Sequence, residues 1–436
     1  MPGKLHDWPA WREFGSKLAS EAIDDDFVKA KQDVIREYGE DKLRSSWLAV
    51  CKELQKVTED IASKRNDIVP ILDADELLSK GFRESDVATI RQTGCFIVRG
   101  VIPEDDARRL YQDLQDYVRD NKAHVRGWPA ESPSMLMLYD SPTQNAIRSH
   151  PKHMELQQMV NSLWHDETGQ TSSQPLIYLD GARDREPGQP FLGLGPHIDA
   201  GSLCRWADPK YRRVYDAVFS GRALEHDAWD LGVRKDADQD LFKGPAHSTV
   251  LRSFQGWTAL TRAAPKEGTL LLYPNLLTTI AYVLLRPFFR PPTDPDSDVM
   301  DPETWMFDES GWFPGTFKPE SQYMSRTSHP HLRLEDCLVH IPVMEPGDTV
   351  WWHCDVCHAV DPVHEGKENA AVVYVGACPS TPINHKYIKS QLEATLAGRP
   401  PPDQDDGTGV SEATFKGYRG HEGLNELARR AFGYNL

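Results

Sequence analysis

His197-Ile198-Asp199, with His358 far along the chain, is the set of residues best suited to chemistry. Two imidazoles and one carboxylate on one face of a metal leave its other positions open, the donor arrangement that holds Fe(II) for oxygen chemistry. Side chains at i and i+2 of a strand share a face. An extended 197–199 segment therefore aims His197 and Asp199 at one ion. Gly193, Gly195 and Pro196 precede them and bring no bulky side chain to the approach. A lone His-x-Asp recurs by chance in many chains, so the flanking segments carry the weight.

Four short apolar runs must position these residues. Phe254 to Leu260 reads as a strand. Lys266-Glu267-Gly268 reads as a turn into a second strand, Thr269 to Tyr273, which Pro274 stops. Glu345-Pro346-Gly347-Asp348 is a tight turn that launches Thr349-Val350-Trp351-Trp352, then His353 and His358. Ala370 to Val375 is a last β-rich run. Short strands joined by turns and long excursions predict a double-sheet jelly roll rather than a βαβ protein.

His-x-Asp, a Trp-Thr-Ala-Leu strand, a Gly-Thr-Leu strand and Gly-Asp-x-x-Trp-Trp-His-x-x-x-x-His follow one another in this order. The series resembles the Fe(II)/2-oxoglutarate-dependent dioxygenases, and within them the YbiU-like branch near the phytanoyl-CoA hydroxylase type. The run Gly94 to Pro103 followed by an acidic helix start is similar to the opening of many members' catalytic domains. The likeness spans roughly residues 85 to 380. It implies an α+β protein with a double-stranded β-helix (jelly roll, cupin-like) core, flanking N- and C-terminal helices and long insertions. It also implies Fe(II), 2-oxoglutarate as co-substrate and O2. In the family pattern the second His of the aromatic-aromatic-His-x-x-x-x-His run is the distal ligand, hence His358. His353 then orders the strand or an outer hydrogen bond.

Cys354-Asp355-Val356-Cys357-His358 is also a formal C-x-x-C-H, the c-type haem attachment pattern. Haem attachment needs export, and Met1 to Trp8 lacks the apolar core of a signal peptide. Zinc through Cys354, Cys357 and nearby histidines is a further alternative, but no second Cys-x-x-Cys completes a closed site. Two small residues filling strand positions is the preferred reading of these cysteines.

The far carboxylate of 2-oxoglutarate needs a cation, and a guanidinium fork suits it. The resemblance implies an Arg shortly beyond the distal His, yet Lys367 is the cation in that window. Lys367 is therefore one candidate, against a plain solvated turn residue, and Arg183 or Arg185 before the His-x-Asp segment is the other. For the substrate, Arg205 with Trp206 follows the metal motif and Trp257 lies on a core strand. An Arg beside the iron suits a substrate carboxylate such as that of a free amino acid; the bland alternative pairs Arg205 with a surface carboxylate. Some fungal enzymes that resemble this branch oxidise amino acids such as valine, closing an aziridine ring.

A chain of 436 residues is ample for a large core. The net charge of −17 speaks against nucleic acid or an anionic membrane as partner. No apolar stretch reaches the length of a membrane span. Seven cysteines without framework spacing suggest reduced thiols in the cytoplasm. Phe27, Ala30, Val34 and Tyr38, then Leu43, Trp47, Cys51 and Leu54, form two helical stripes that need a surface such as the outer face of the jelly roll. The expected organisation is a helical region over 1–85, a jelly-roll domain over 86–380 and a helical extension over 381–436. Insertions are expected at 207–250 and 286–335, as lids or as surface decoration. Residues 103–120 predict a helix with Pro103 in its first turn, Leu424 to Phe432 a final helix, and Arg399 to Asp403 an exposed linker. The function expected is oxidation of an unactivated C–H of a small molecule, by hydroxylation or cyclisation. A jelly-roll protein that binds metal or a small molecule without turnover is the alternative. The oligomeric state is not legible.

Overall fold

Turn chemistry sets the strand ends. Lys266 (φ 67°) and Gly268 (φ 73°) make the expected reversal before Leu270–Leu272. Gly347 has φ 92°, and a Cβ there would lie 1.9 Å from the Ile102 carbonyl oxygen, so only glycine fits. The Asp348 carboxylate beside it accepts the N–H groups of Gly100 (3.0 Å) and Glu345 (2.8 Å) and pairs with Arg99. The strand Thr349–His353 starts from this turn. Phe254–Ala259 forms as expected, whereas the last strand runs much further than its apolar core, over Ala370–Ser380. Its far end gains a new partner, Ser172–Leu176, with a register shift where Pro379 interrupts the ladder.

The computed structural model describes Lys4, residues 24–189, 194–405, Gly407 and 410–436. Gly193 and the segment around Met1 to Trp8, Lys4 excepted, lie outside the described residues. Among the described residues the architecture is mixed α+β with two large open sheets, and a two-stranded ribbon of Phe289–Arg290 and Met306–Phe307, rather than a closed barrel. In the larger, nine-stranded sheet the order is Ile71–Asp73, Cys95–Arg99, Thr349–His353, Phe254–Ala259, Ala370–Ser380, Ala182–Arg185, Met135–Leu136 and Gly127–Trp128, with Ser172–Leu176 also on Ala370–Ser380. The five-stranded sheet runs Gln322–Tyr323, His197–Ile198, His358–Val360, Leu270–Leu272 and Val339–His340. Among these pairs only Ile71–Asp73 with Cys95–Arg99 is parallel.

The first core lies on the large sheet, around Phe96, Phe254, Trp351 and Val373. A second core covers the outer face of the smaller sheet. There Ile198, Tyr273 and Cys357 meet the helices Asp25–Tyr38 and Glu40–Lys64 and the helix Leu277–Leu285, buried from Thr278 to Leu285. The two N-terminal helices bury the expected stripes, and Asp24 caps the first by accepting the N–H groups of Asp26 and Phe27. Trp47 is fully buried and stacks on Phe289 (4.7 Å) and Tyr282 (5.5 Å). The helices thus rest on the 280–340 region as much as on a sheet.

Three local expectations change. Segment 286–335 is not only an excursion, because Gln322–Tyr323 pairs with His197–Ile198. Pro103 caps the helix Glu104–Asp120 rather than entering its first turn. The Arg399 to Asp403 stretch folds back: Pro401 is buried, and Asp403 accepts the hydroxyls of Tyr178 (2.7 Å) and Tyr387. A helix over Pro382–Leu396 precedes it, and Glu426–Ala431 near the end docks through Ile177 N–H to the Ala431 carbonyl at 2.9 Å. No helix among the described residues is long and apolar enough to cross a membrane.

Trp47→Ala should lower the urea midpoint by an amount equivalent to about 3–5 kcal/mol, since a buried aromatic leaves a cavity no neighbour fills. A midpoint within error of the wild type would mean that the N-terminal helices are not part of the cooperative core.

Candidate metal centre

His197 and His358 sit directly opposite each other on adjacent antiparallel strands, where Cβ atoms lie about 5 Å apart. Their ring centroids are 4.2 Å apart. Each ring has one nitrogen taken by the backbone: His197 Nδ1 meets the Gly195 carbonyl at 2.7 Å and His358 Nδ1 the Val356 carbonyl at 3.1 Å. Carbonyls only accept, so both Nδ1 atoms donate and both Nε2 atoms are left on the side of the triad, where an ion would find them. The Asp199 Oδ1 lies 3.0 Å from His197 Nε2 and 3.9 Å from His358 Nε2. The three donor atoms lie within 4.8 Å of one another.

Protonation favours metal binding. Burial, and then neighbouring His197, push the His358 imidazole down to about 4. It is therefore neutral at pH 7 and need not lose a proton to act as a ligand. Burial alone would raise the Asp199 carboxyl. The hydrogen bond with His197, then the neighbouring His358 and the more distant Arg252, outweigh it and hold Asp199 well below the usual carboxylate range.

The strand covers only His197–Ile198; Ala200 (φ 53°) and Gly201 (φ 62°) then turn the chain sharply. That turn carries Arg205 behind the centre. Arg205 is 1% exposed and donates to the carbonyls of Ala200 (2.7 Å) and Asp199 (3.0 Å). It thus braces the backbone that presents Asp199, and the expected substrate-facing role does not fit its position. Asp355 balances it from 3.9 Å, pairs with Arg234 and accepts the Tyr215 hydroxyl at 3.0 Å. His353 Nε2 donates to the Ala228 carbonyl (3.1 Å), its Nδ1 accepts the Asp355 N–H (3.0 Å), and its ring stacks on Trp164 at 4.6 Å. His353, Cys354 and Asp355 also lie within ligating distance of one another, but their polar groups are already engaged. Cys354 and Cys357 are free and buried, and burial pushes the Cys354 thiol up to about 12.

A cavity of about 330 Å³ opens between the sheets beside the triad. Trp257 and Arg183 line it, along with Trp352, Tyr374 and Tyr323. Arg183 is 3% exposed; it donates to the Gly268 carbonyl at 2.8 Å, and its Nε has no partner. Lys367 is an exposed turn residue and does not line the cavity. Arg185 points elsewhere, to the Asp361 and Pro362 carbonyls. Sequence reasoning missed Arg252, Tyr178, Asp180 and Asp403 in the cavity wall. No motif marks them; Arg252 stands two residues before the Phe254–Ala259 strand.

Residues 21–434 match the Gig2-like family. The chain belongs to that family. A curated member, the uncharacterised YbiU of Escherichia coli, is 32% identical over 363 residues, covering 80% of this chain and 81% of YbiU. The crystal structure of GlcNAc-inducible gene 2 from Candida albicans has a TM-score of 0.83 at 26% identity and covers 93% of this chain and 88% of that one. A hypothetical protein from Escherichia coli reaches 0.79 at 26% identity, with 96% of this chain and all of that one (100%) covered. The Gig2-like relationship thus extends over the N-terminal helices and the C-terminal segment as well as the sheets.

Asp355→Asn in this Gig2-like protein leaves two buried arginines without their shared carboxylate. Removing one member of a buried ion group costs about 3–5 kcal/mol, and urea denaturation at pH 7 should read a loss of that order. The arginines hold the Asp355 carboxyl well below its usual range against burial, the largest opposing influence. A depressed carboxylate stabilises above its unfolded pKa and stops doing so as pH falls through its folded one. The difference between wild type and Asp355→Asn should therefore be full at pH 7 and shrink only below about pH 4. A difference constant down to strong acid would contradict the buried ion group.

Proposed function

We propose that this Gig2-like protein is a non-haem Fe(II)- and 2-oxoglutarate-dependent oxygenase acting on a small molecule. The observation that carries the reading is the placement of two backbone-oriented Nε2 atoms and one carboxylate oxygen at the wall of a cavity that also holds an incompletely bonded arginine. The donors fit the ion: two imidazoles and a carboxylate on one side suit Fe(II) and leave room opposite for other ligands. The two sheets are read as the halves of a double-stranded β-helix, the jelly-roll domain over 86–380, with helical regions over 1–85 and 381–436 packed on it. Seven unpaired cysteines suit a reducing compartment such as the cytoplasm.

His197, Asp199 and His358 would hold the iron. When bound, Fe(II) with 2-oxoglutarate and O2 supplies the oxidising power for an unactivated C–H bond, with succinate and CO2 as co-products. The chain supplies geometry and exclusion of water. Arg205 holds the Asp199 backbone where the left-handed Ala200-Gly201 turn begins, so the carboxylate would meet an ion without reorganisation. Arg183 would take the far carboxylate of 2-oxoglutarate. Dioxygenases resembling this chain place that cation on the last core strand, and Arg183 is the cross-strand partner of Val372 on the strand Ala370–Ser380. The neighbouring strand thus supplies the cation that the last strand lacks. Trp257, Trp352 and Tyr374 form apolar walls beside the triad. Lys367 remains in solvent under this reading.

Anaerobic Fe(II) titration should give one equivalent bound to the wild type. Ala at His197, Asp199 or His358 should each abolish tight binding while His353→Ala retains it. Full iron occupancy in His358→Ala would remove the distal ligand from the assignment.

Adding 2-oxoglutarate to the anaerobic iron form should produce a weak visible charge-transfer band, because a keto acid chelates the metal. Arg183→Gln should raise the concentration needed for it by about 10- to 150-fold, the equivalent of roughly 1.5–3 kcal/mol for one charge-assisted hydrogen bond. Lys367→Ala should leave the titration unchanged. The opposite pattern would hand the co-substrate to Lys367, and the absence of succinate release with every substrate tried would favour binding without turnover.

A further inference from the structure

The cavity beside the triad contains a second arginine that the proposed reaction does not use. Arg252 is 18% exposed on its side chain, and its guanidinium makes no hydrogen bond among the described residues. Its nearest anion is Asp180, at 3.6 Å, and its flat face lies over the Tyr178 ring at 5.3 Å. A guanidinium carries five donors in a fixed fork, and those of the half-buried Arg252 open to the cavity, where a ligand can take them. Of the other carboxylates in this wall, Asp403 already accepts the Tyr178 and Tyr387 hydroxyls and Asp199 faces the two histidines of the triad.

The wall around Arg252 is shaped for it. Its stem crosses the strand Ala370–Ser380 at Gly376, where a Cβ would lie 3.2 Å from its Cδ and 3.3 Å from its Cγ. Gln255, the cross-strand partner of Gly376, lines the same wall. The arginine is near enough for its charge to be felt at both Asp199 and His358. Arg183 and Arg252 thus give one cavity two separate forks. One fork accounts for the co-substrate and the second is left for the other guest. The volume of about 330 Å³ is at the lower end for small-molecule sites, so both guests are small.

We infer that Arg252 anchors the primary substrate and that this substrate is a small carboxylic acid, held by its carboxylate on the Arg252 fork. This rests on the oxygenase reading only in taking Arg183 for 2-oxoglutarate. Arg252 stacked on Tyr178 fixes the end of the acid, and the chain of the acid then runs toward the triad. Polar specificity of this kind discriminates, because an analogue without the carboxylate leaves the fork without its charged partner.

The test uses thermal denaturation of the metal-free full chain. The probes are 2-oxoglutarate and a panel of short aliphatic carboxylates and α-amino acids at millimolar concentration, each beside its own carboxamide. At least one acid should raise the Tm of the wild type while its amide does not. Arg252→Gln should abolish that rise and keep the rise produced by 2-oxoglutarate; Arg183→Gln should do the reverse. Gly376→Ala, which crowds the arginine stem without removing the charge, should weaken the acid's effect and serves if Arg252→Gln proves unstable. The inference is overturned if no acid acts on the wild type, if acid and amide act alike, if the effect survives both Arg252→Gln and Gly376→Ala, or if Arg252→Gln removes the 2-oxoglutarate effect instead. The oxygenase reading fails separately, through absence of the anaerobic charge-transfer band in the wild type.

Discussion

His197 and His358 face each other across one register position of a short antiparallel pair, and much of the molecule is arranged to keep that register. Side chains alternate along a strand, so a slip of one residue would turn a histidine to the opposite face. The residues beside them on those strands, Ile198 and Cys357, are fully buried in the second core with the N-terminal helices. Apolar burial on the outer face therefore fixes which side chains reach the inner one. This links the stacked Trp47 cluster to the candidate metal centre: helices remote from the cavity hold the strands that present its two histidines.

The carboxylate of the triad is controlled differently. Asp199 stands just past a strand end, at a turn that two positive φ values produce. Nothing in the ladder fixes its backbone there. Arg205 does so by bonding two successive carbonyls, and Asp355 with Arg234 and Tyr215 supplies the buried charge balance. A buried ion group is a weak source of net stability. Its value here is positional, since it braces the Asp199 carboxylate before any ion arrives.

The strands, their turns and the convergence of His197, Asp199 and His358 were legible because they depend on pattern: alternation, Gly347 at a forced turn, two donors two residues apart and a third after a recognisable strand. Arg205 was misplaced because closeness in sequence was read as closeness in space, and the Ala200-Gly201 turn reverses that relation. Lys367 attracted attention for the same reason, whereas Arg183 reaches the cavity through cross-strand pairing with Val372. Arg252 carries no local signal, since only the folded sheet brings it beside Gly376 and the triad. The helix Pro382–Leu396 was hidden because its buried face includes polar Asn384 and Gln391, whose side chains satisfy backbone groups at Leu251, Pro379, Ile177 and Leu179.

A crystal grown anaerobically with Fe(II) and 2-oxoglutarate, with data collected at the iron absorption edge, addresses the central claim most directly. The account predicts one anomalous peak bounded by His197 Nε2, His358 Nε2 and an Asp199 carboxylate oxygen, with the keto acid on its open side and the far carboxylate on Arg183. A peak between His353, Cys354 and Asp355, or no peak in the cavity at all, would contradict it.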